Sequence, residues 1–406
     1  MIILIIRDIY IDKVRPFFNK DLVKVFTGIR RSGKSTLLKL IQQELIADGV
    51  MANHIYSINF ESMVYVNRNI KSIYQEIKKF SANKKGKLYI FLDEIQELNG
   101  WEKMVNSLRV DLDCDLYITG SNSKLLSGEM ATYLAGRYIE IPVYTFSFRE
   151  IMKLKQDKLT ARPKEEEFKD YLRFGGMPFL YENELDQSSA LDYLRDIYHS
   201  IVLKDIIARH SVRDVELFER VMAYLLANVA NSFSGASVLR YLKNEKRMLS
   251  LETIYNYIAY AREACLLHLV PRTEIQGKGL LKFQEKIFLA DHGIREAIYG
   301  NNERDINQVL ENIVYLELLR RGFKVYVGKS KEKEIDFIAE KTNQRIYIQV
   351  AYIIADNTVA KREFTGLSEI KDNYPKIVLS LDQFDLSREG IIHQNLIDFL
   401  LREEQL

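Results

Sequence analysis

The stretch LVKVFTGIRRSGKSTLLKLIQQELIADG, residues 22–49, constrains the fold more than any other part of the chain. A short apolar strand at 22–27 runs into Gly28, then four residues, then Gly33-Lys34-Ser35, and a helical run follows at once. That order meets the pattern G-x-x-x-x-G-K-[ST] in its required strand–loop–helix setting. Glycines at 28 and 33 let the loop wrap close to phosphates, while loop N–H groups and the helix N-terminus supply positive potential. Lys34 is expected to reach the terminal phosphates and Ser35 to ligate Mg²⁺. The expected cradle is therefore Gly28, Arg31, Ser32, Gly33, Lys34, Ser35 and Thr36, with ATP and Mg²⁺ as cofactors. Of Arg30 and Arg31, one is expected to face phosphate and the other water.

A second strand, KLYIFLDEIQEL at 87–98, carries Asp93-Glu94 after an apolar run. In this pattern Asp93 holds the metal ion and Glu94 orients or deprotonates the attacking water. A third strand, in DCDLYITGSNSKLL at 113–126, ends in polar residues. Asn122 is the candidate that senses the γ-phosphate, with Ser121 beside it; the alternative is a plain turn. Asn59 and Glu61, in YSINFES, end another strand and are expected to adjust Glu94. Strands alternating with helices imply a parallel sheet with its ligand at the strands' carboxyl ends.

The segments GIRRSGKST, FLDEIQEL, ITGSNSKLL, LAGRYIEIPVYTFSFREI and FGGMP together resemble a bacterial and archaeal family of AAA+ ATPases. Members of that family join the ATPase to a restriction-endonuclease-like C-terminal domain of unknown function. The resemblance covers nearly the whole chain and implies an AAA+ core, a helical lid and a homo-oligomeric ring such as a hexamer. Arg137, in AGRYIEI, is the candidate arginine finger that reaches a neighbouring subunit's γ-phosphate, since a guanidinium fork suits charge spread over phosphoryl oxygens. A solvated strand-end arginine is the alternative. Arg173, before Gly175-Gly176, stands where a second lid sensor is expected.

Two to four domains fit in 406 residues. The expected division is 1–145 for the AAA+ P-loop core, 146–205 for the helical lid, 206–285 for a winged-helix module and 286–406 for the nuclease-like domain. In the middle module, helices VELFERVMAYLLANVA, ASVLRYLKN and SLETIYNYIAYAREAC precede two extended runs, LLHLVPRTEI and LLKFQEKIFLA. Three helices and a two-stranded wing would present Tyr255, Asn256 and Tyr260 from the third helix. KNEKR, with Lys243, Lys246 and Arg247, forms a basic loop suited to phosphates. DNA and a protein partner both remain open for this module, because winged helices serve either. A net charge of +2 names no partner by itself.

The C-terminal block places Glu311 on an amphipathic helix and Asp336 on a strand, as in nucleases where a helical Glu, a strand Asp and an acid-x-Lys pair converge on one Mg²⁺. Gln349 and Ala351 occupy the acid and lysine positions, so the domain is expected to be catalytically degenerate. Cys114 and Cys265 form no ligand pattern and are expected to be reduced. The apolar start MIILII is too short to span a membrane, so a cytoplasmic protein is expected. The fold class is α/β: a P-loop AAA+ core with helical lid, a winged-helix module and a small α/β restriction-endonuclease-like C-terminal domain. The expected function is an ATP-hydrolysing machine that binds and remodels double-stranded or branched DNA. An ATP-dependent switch that docks a protein partner and an ATP-gated nuclease are the alternatives.

Overall fold

The computed structural model describes residues 7–123, 134, 136–183, 185–244, 250–275, 280–330 and 333–402. In it, β1 (Val23–Thr27) is buried at every position and lies inside a five-stranded sheet. Its companions are β2 (Ile55–Asn59), β3 (Leu88–Asp93), β4 (Cys114–Gly120) and β5 (Tyr138–Pro142), in the order β2-β3-β4-β1-β5. Every pairing is parallel. Parallel strands need crossovers that cover both faces, which is why β1 and β3 are buried without alternation. One face packs Val23, Val25, Ile90 and Ile118 against α3 (Ile70–Ser81) and α4 (Trp101–Asp111), through Ile73, Ile77, Met104 and Leu108. The other packs Phe26, Phe91 and Tyr117 against α1 (Asp8–Val14) and α2 (Lys34–Ala47), through Tyr10, Val14, Leu37 and Ile41.

One ion pair interrupts this apolar layer. Lys24 and Asp115 are both fully buried and bonded to each other, and Asp115 also accepts from Tyr117 Oη and Asn19 N, each at 2.8 Å. Removing one partner of such a pair leaves an uncompensated buried charge, at a cost of about 3–5 kcal/mol. The pair therefore fixes β1 against β4.

The chain divides into two compact units, residues 1–145 with 263–265, and the remainder. The second unit begins with α5 (Phe148–Asp157), α6 (Lys164–Phe174), α7 (Pro178–Glu182) and α8 (Gln187–Ser200). Ser147 and Glu150 close a reciprocal capping box at the start of α5, as the sequence SFRE allows. The helices of the expected lid pack inside this unit, with α6 and α8 against α12 (His292–Ile298). Gly175 adopts φ 72°, and Asp291 accepts from Gly176 N at 2.8 Å and Gly293 N at 2.9 Å.

Next come α9 (Val215–Ala227), β6 (Ser232–Phe233), α10 (Gly235–Asn244), α11 (Leu251–Glu263), β7 (Leu267–Glu274) and β8 (Leu280–Leu289). β8 pairs antiparallel with both β7 and β6. β7 in turn pairs parallel with β9 (Lys324–Ser330), which leads to β10 (Lys333–Lys341), β11 (Gln344–Val350), β12 (Lys376–Ser380) and β13 (Ile392–Asn395). One eight-stranded sheet results, in the order β13-β12-β11-β10-β9-β7-β8-β6. Residue 285, the expected end of the middle module, thus falls inside β8, where Glu285 pairs with Phe233 and Lys286 with Val270 and Ser232. Helices α13 (Ile306–Arg320), α14 (Asn357–Ser368) and α15 (Leu396–Leu401) complete the unit. Among the described residues no helix is long and apolar enough to cross a membrane.

Candidate functional site

The loop after β1 turns at Gly28, whose φ is 151°, and a Cβ there would stand 2.2 Å from Val143 O. Only glycine fits so close an approach. Gly33, at φ 95°, starts α2, and Lys34 is the helix's first residue. Lys34 Nζ donates to Gly28 O at 3.1 Å and Ile29 O at 3.2 Å, and lies 3.4 Å from Glu94 Oε1. The carboxyl end of β3 meets it there. Asp93 Oδ1 accepts from Thr119 Oγ1 at 2.5 Å, Oδ2 accepts from Asn59 Nδ2 at 3.2 Å, and the Ser35 hydroxyl bonds the same carboxylate. Glu94 is held in left-handed backbone, φ 50°, with its N–H donating to Thr119 Oγ1 at 2.9 Å. Gln96 Nε2 donates to Glu94 Oε2 at 2.6 Å and to Ser121 Oγ at 3.4 Å.

Burial acts on the two acids with different outcomes. It raises Asp93 above the ordinary carboxylate value, against the hydrogen bonds from Thr119 and Ser35. It pushes Glu94 up as well, but the Lys34 charge and the Gln96 hydrogen bond outweigh it, so Glu94 lies below its usual value and stays ionised. The residues present suit a nucleoside triphosphate with its metal ion: Gly28 leaves a cradle that a Cβ would fill, and the buried Ser32 hydroxyl has no hydrogen-bond partner among the described residues.

A second polar cluster lies in the other unit. Lys286, on β8 and 4% exposed, places Nζ 2.7 Å from Glu311 Oε2 on α13, 2.7 Å from Glu334 Oε1 and 3.4 Å from Asp336 Oδ1, both on β10. Arg272 pairs with the other oxygen of Glu334 and donates to Ser232 Oγ at 2.8 Å. Asp336 Oδ2 accepts from Val350 N at 2.9 Å. Gln349 turns to α14, donating to Glu363 Oε2 at 3.1 Å, and its Oε1 accepts from Asp336 N at 3.4 Å. Burial and the Asp336 charge raise Glu311 to about 8 in spite of the nearby ammonium.

Residues 20–152 match the AAA domain family, and residues 165–330 match a domain of unknown function, DUF8612. An uncharacterized protein of Haemophilus influenzae is 37% identical over 401 residues, covering 98% of this chain and 99% of its own. MJ1544, an uncharacterized protein of Methanocaldococcus jannaschii, is 30% identical over 402 residues, covering 94% and 87%. The chain belongs to their family. Its AAA domain takes in most of the first unit described above, and the fold is that of P-loop ATPases. A Walker-type ATPase of Pyrococcus abyssi superposes with a TM-score of 0.52 at 14% identity, covering 72% of this chain and 95% of that one.

Within the AAA domain, β1, β3 and β4 bring Lys34, Ser35, Asp93, Glu94 and Ser121 to the carboxyl edge of one sheet. Asn122, buried, follows β4, which runs between β1 and β3. Thr36 sits half-buried in the first turn of α2, and Arg31 is exposed at φ 67°. Arg30 pairs with Glu61 at 2.9 Å. Asn59 bonds Asp93, where the sequence pattern puts it beside Glu94, because the β2–β3 register sets Asn59 directly opposite Asp93. Arg137 is exposed at the opposite edge, where its carbonyl accepts from Val23 N at the start of β1.

In the second unit, Arg173 bonds Gln187 at 2.9 Å and lies 3.4 Å from Glu296. Tyr255 and Asn256 are exposed on α11, whereas Tyr260 stacks on His210 with ring centroids 3.9 Å apart. Lys246 and Arg247 lie outside the described residues, as do QGKG at 276–279 and part of KSKEKE at 329–334. Cys114 and Cys265 are free thiols. Sequence reasoning missed Thr119, Gln96 and Lys286. Thr119 is legible as the one aliphatic hydroxyl in the buried run LYITG; Lys286 gives no local signal.

Proposed function

We propose that the protein is an ATP-hydrolysing AAA+ machine that binds and remodels double-stranded or branched DNA as a homo-oligomeric ring such as a hexamer. The observation that carries this reading is the meeting of Lys34, Ser35, Asp93 and an ionised Glu94 at one sheet edge. In it, Lys34 and the loop N–H groups from Gly28 to Thr36 hold the phosphates, with Arg31 and Ser32 at the loop's rim and base. Ser35 and Asp93 hold Mg²⁺, which neutralises phosphate charge. Glu94 takes the proton of the attacking water, and Asn122 senses the γ-phosphate.

Arg137 supports assembly, because it is exposed at the far edge of the sheet from its own loop. Five strand residues separate the two edges, about 17 Å. It therefore acts on a neighbouring subunit's ATP, where such a finger contributes about 10³ to 10⁵ in rate.

DNA binding is assigned to the module 206–285. The order α9-β6-α10-α11-β7-β8, with β6 and β7 flanking β8, supports a winged helix whose third helix offers Tyr255 and Asn256. The domain from 286 onward is read as nuclease-like and used for binding. ATPase assays with linear, forked and four-way DNAs test the whole reading, and a several-fold rise in turnover is expected. The alternative, a switch that docks a protein, is favoured by Tyr241 and Tyr255, each more than 40% exposed on α10 and α11. Turnover indifferent to every DNA and altered by a protein partner would select it.

A further inference from the structure

Glu311 and Asp336, the two acids that the nuclease pattern would aim at a metal ion, instead surround an ammonium group together with Glu334. Lys286 Nζ has three N–H donors, and carboxylate oxygens of Glu311, Glu334 and Asp336 stand at 2.7, 2.7 and 3.4 Å. They arrive from separate elements, α13 and β10, while the lysine comes from β8. The remaining groups of the cluster are turned to other partners: Arg272 takes the second oxygen of Glu334, Val350 N the second oxygen of Asp336, and Glu363 the amide of Gln349. Among the described residues no three His, Cys, Asp or Glu side chains form a group fit to hold a metal ion.

We propose that Lys286 is a built-in cation that takes the place of a divalent metal in the C-terminal part of the chain. The physical reason is competition for one position. Mg²⁺ needs six oxygens at about 2.0–2.1 Å in octahedral geometry, and it cannot share the centre of these carboxylates with a covalently tethered ammonium. The tether gives the ammonium a high effective concentration, whereas a metal ion must be drawn from solution and dehydrated. Nor does the lysine do what a nuclease lysine must. Its ammonium donates to Glu311 and Asp336 and pairs with Glu334, so its charge is committed to the acids and not to polarising a water or steadying a leaving oxygen. The cleft beside it, about 470 Å³ and lined by Lys333, Glu334, Gln349, Lys361, Arg362 and Glu363, is thus a place where a phosphodiester is held without metal-assisted attack. That last step rests on the DNA-binding reading above; the metal exclusion does not.

The test is Mn²⁺ binding, read by electron paramagnetic resonance on nucleotide-free full-length protein carrying Asp93→Asn, which removes the metal ligand of the ATP site. The expected result is no Mn²⁺ held by this parent. Adding Lys286→Ala creates a site for one Mn²⁺, raises Tm when Mn²⁺ is present, and loses both effects when Asp336→Asn is added. Lys286→Gln, which keeps length and a donor, serves where the alanine variant does not fold. Mn²⁺ held by the parent and released by Asp336→Asn overturns the proposal, as does a folded Lys286→Ala or Lys286→Gln protein that holds none. If neither variant folds, the parent decides: silence towards Mn²⁺ supports the built-in cation. DNA binding is measured separately by fluorescence anisotropy, so its loss counts against the DNA reading and not against the exclusion of metal.

Discussion

Lys34 Nζ lies 3.4 Å from Glu94 Oε1, so the cation of the first nucleotide motif and the carboxylate of the second are paired across two strands. The pair holds Glu94 ionised in a buried place, against the desolvation that raises Asp93 beside it. An ionised carboxylate is the state a general base requires. Lys34→Ala is therefore expected to weaken nucleotide binding, because the phosphates lose their main charge. Glu94→Gln is expected to keep nucleotide bound and lower turnover by about 10² to 10⁴. Fluorescent-nucleotide titration and phosphate release measure the two effects, and a Glu94→Gln protein that turns over at the parental rate removes the role assigned to Glu94.

Arg137 is exposed at the sheet edge opposite its own loop, and the proposed finger role makes its effect depend on assembly. Arg137→Ala should bind ATP normally and hydrolyse it about 10³-fold more slowly or worse. Parental activity per subunit should also climb with protein concentration. Sedimentation measured in parallel with turnover checks this, and full activity in a monomer would dispose of the shared site.

Neutralising Lys243, at the end of α10, with Lys246 and Arg247 removes three positive charges from the segment KNEKR at 243–247. Each phosphate contact contributes about 0.9 to the slope of log affinity against log salt for duplex DNA. The triple variant should therefore flatten that slope by up to about 3 and bind more weakly at low salt. An unchanged slope would place the DNA contact elsewhere on the chain.

Glu311 carries a raised pKa, with burial first among its causes, followed by Asp336, against the pull of Lys286; Glu334 adds to the rise. A carboxyl that is easier to protonate when folded favours the folded state at low pH. That stability is complete below the ordinary value of 4.5 and is lost as pH rises through about 8. Glu311→Gln mimics the protonated form. Its Tm relative to the parent should improve by several degrees between about pH 5 and about pH 9, as scanning calorimetry will show. A difference in Tm that stays flat over that range would mean that Glu311 titrates as an ordinary carboxylate.

The nucleotide site is largely legible in the sequence, because each of its motifs is local. A strand, a glycine turn and a helix lie within 22–49, and Asp93-Glu94 follows its own apolar run. Backbone propensity over such short spans decides that Lys34 begins a helix and that Asp93 ends a strand. Pairing between strands is another matter. The register that gives Asn59 to Asp93, and Thr119 to both Asp93 and Glu94, arises from contacts between residues 25 or more apart, on which local periodicity is silent.

The same limit governs the second unit more strongly. Helix and strand patterns there are readable, and they single out Glu311 and Asp336. The sequence determined that Ala351 carries no amine, but not whether another amine would be brought to the acids. Only the sheet decided that: β7 joins β9, which puts β8 and β10 in one sheet and lets the Lys286 side chain reach Glu334 and Asp336 of β10 and Glu311 of α13. The physical reason is that a charge buried 25 to 50 residues away in sequence is recruited by the low dielectric of a shared core, where an unpaired carboxylate is costly. Such a requirement acts on position in space and leaves no mark on spacing along the chain.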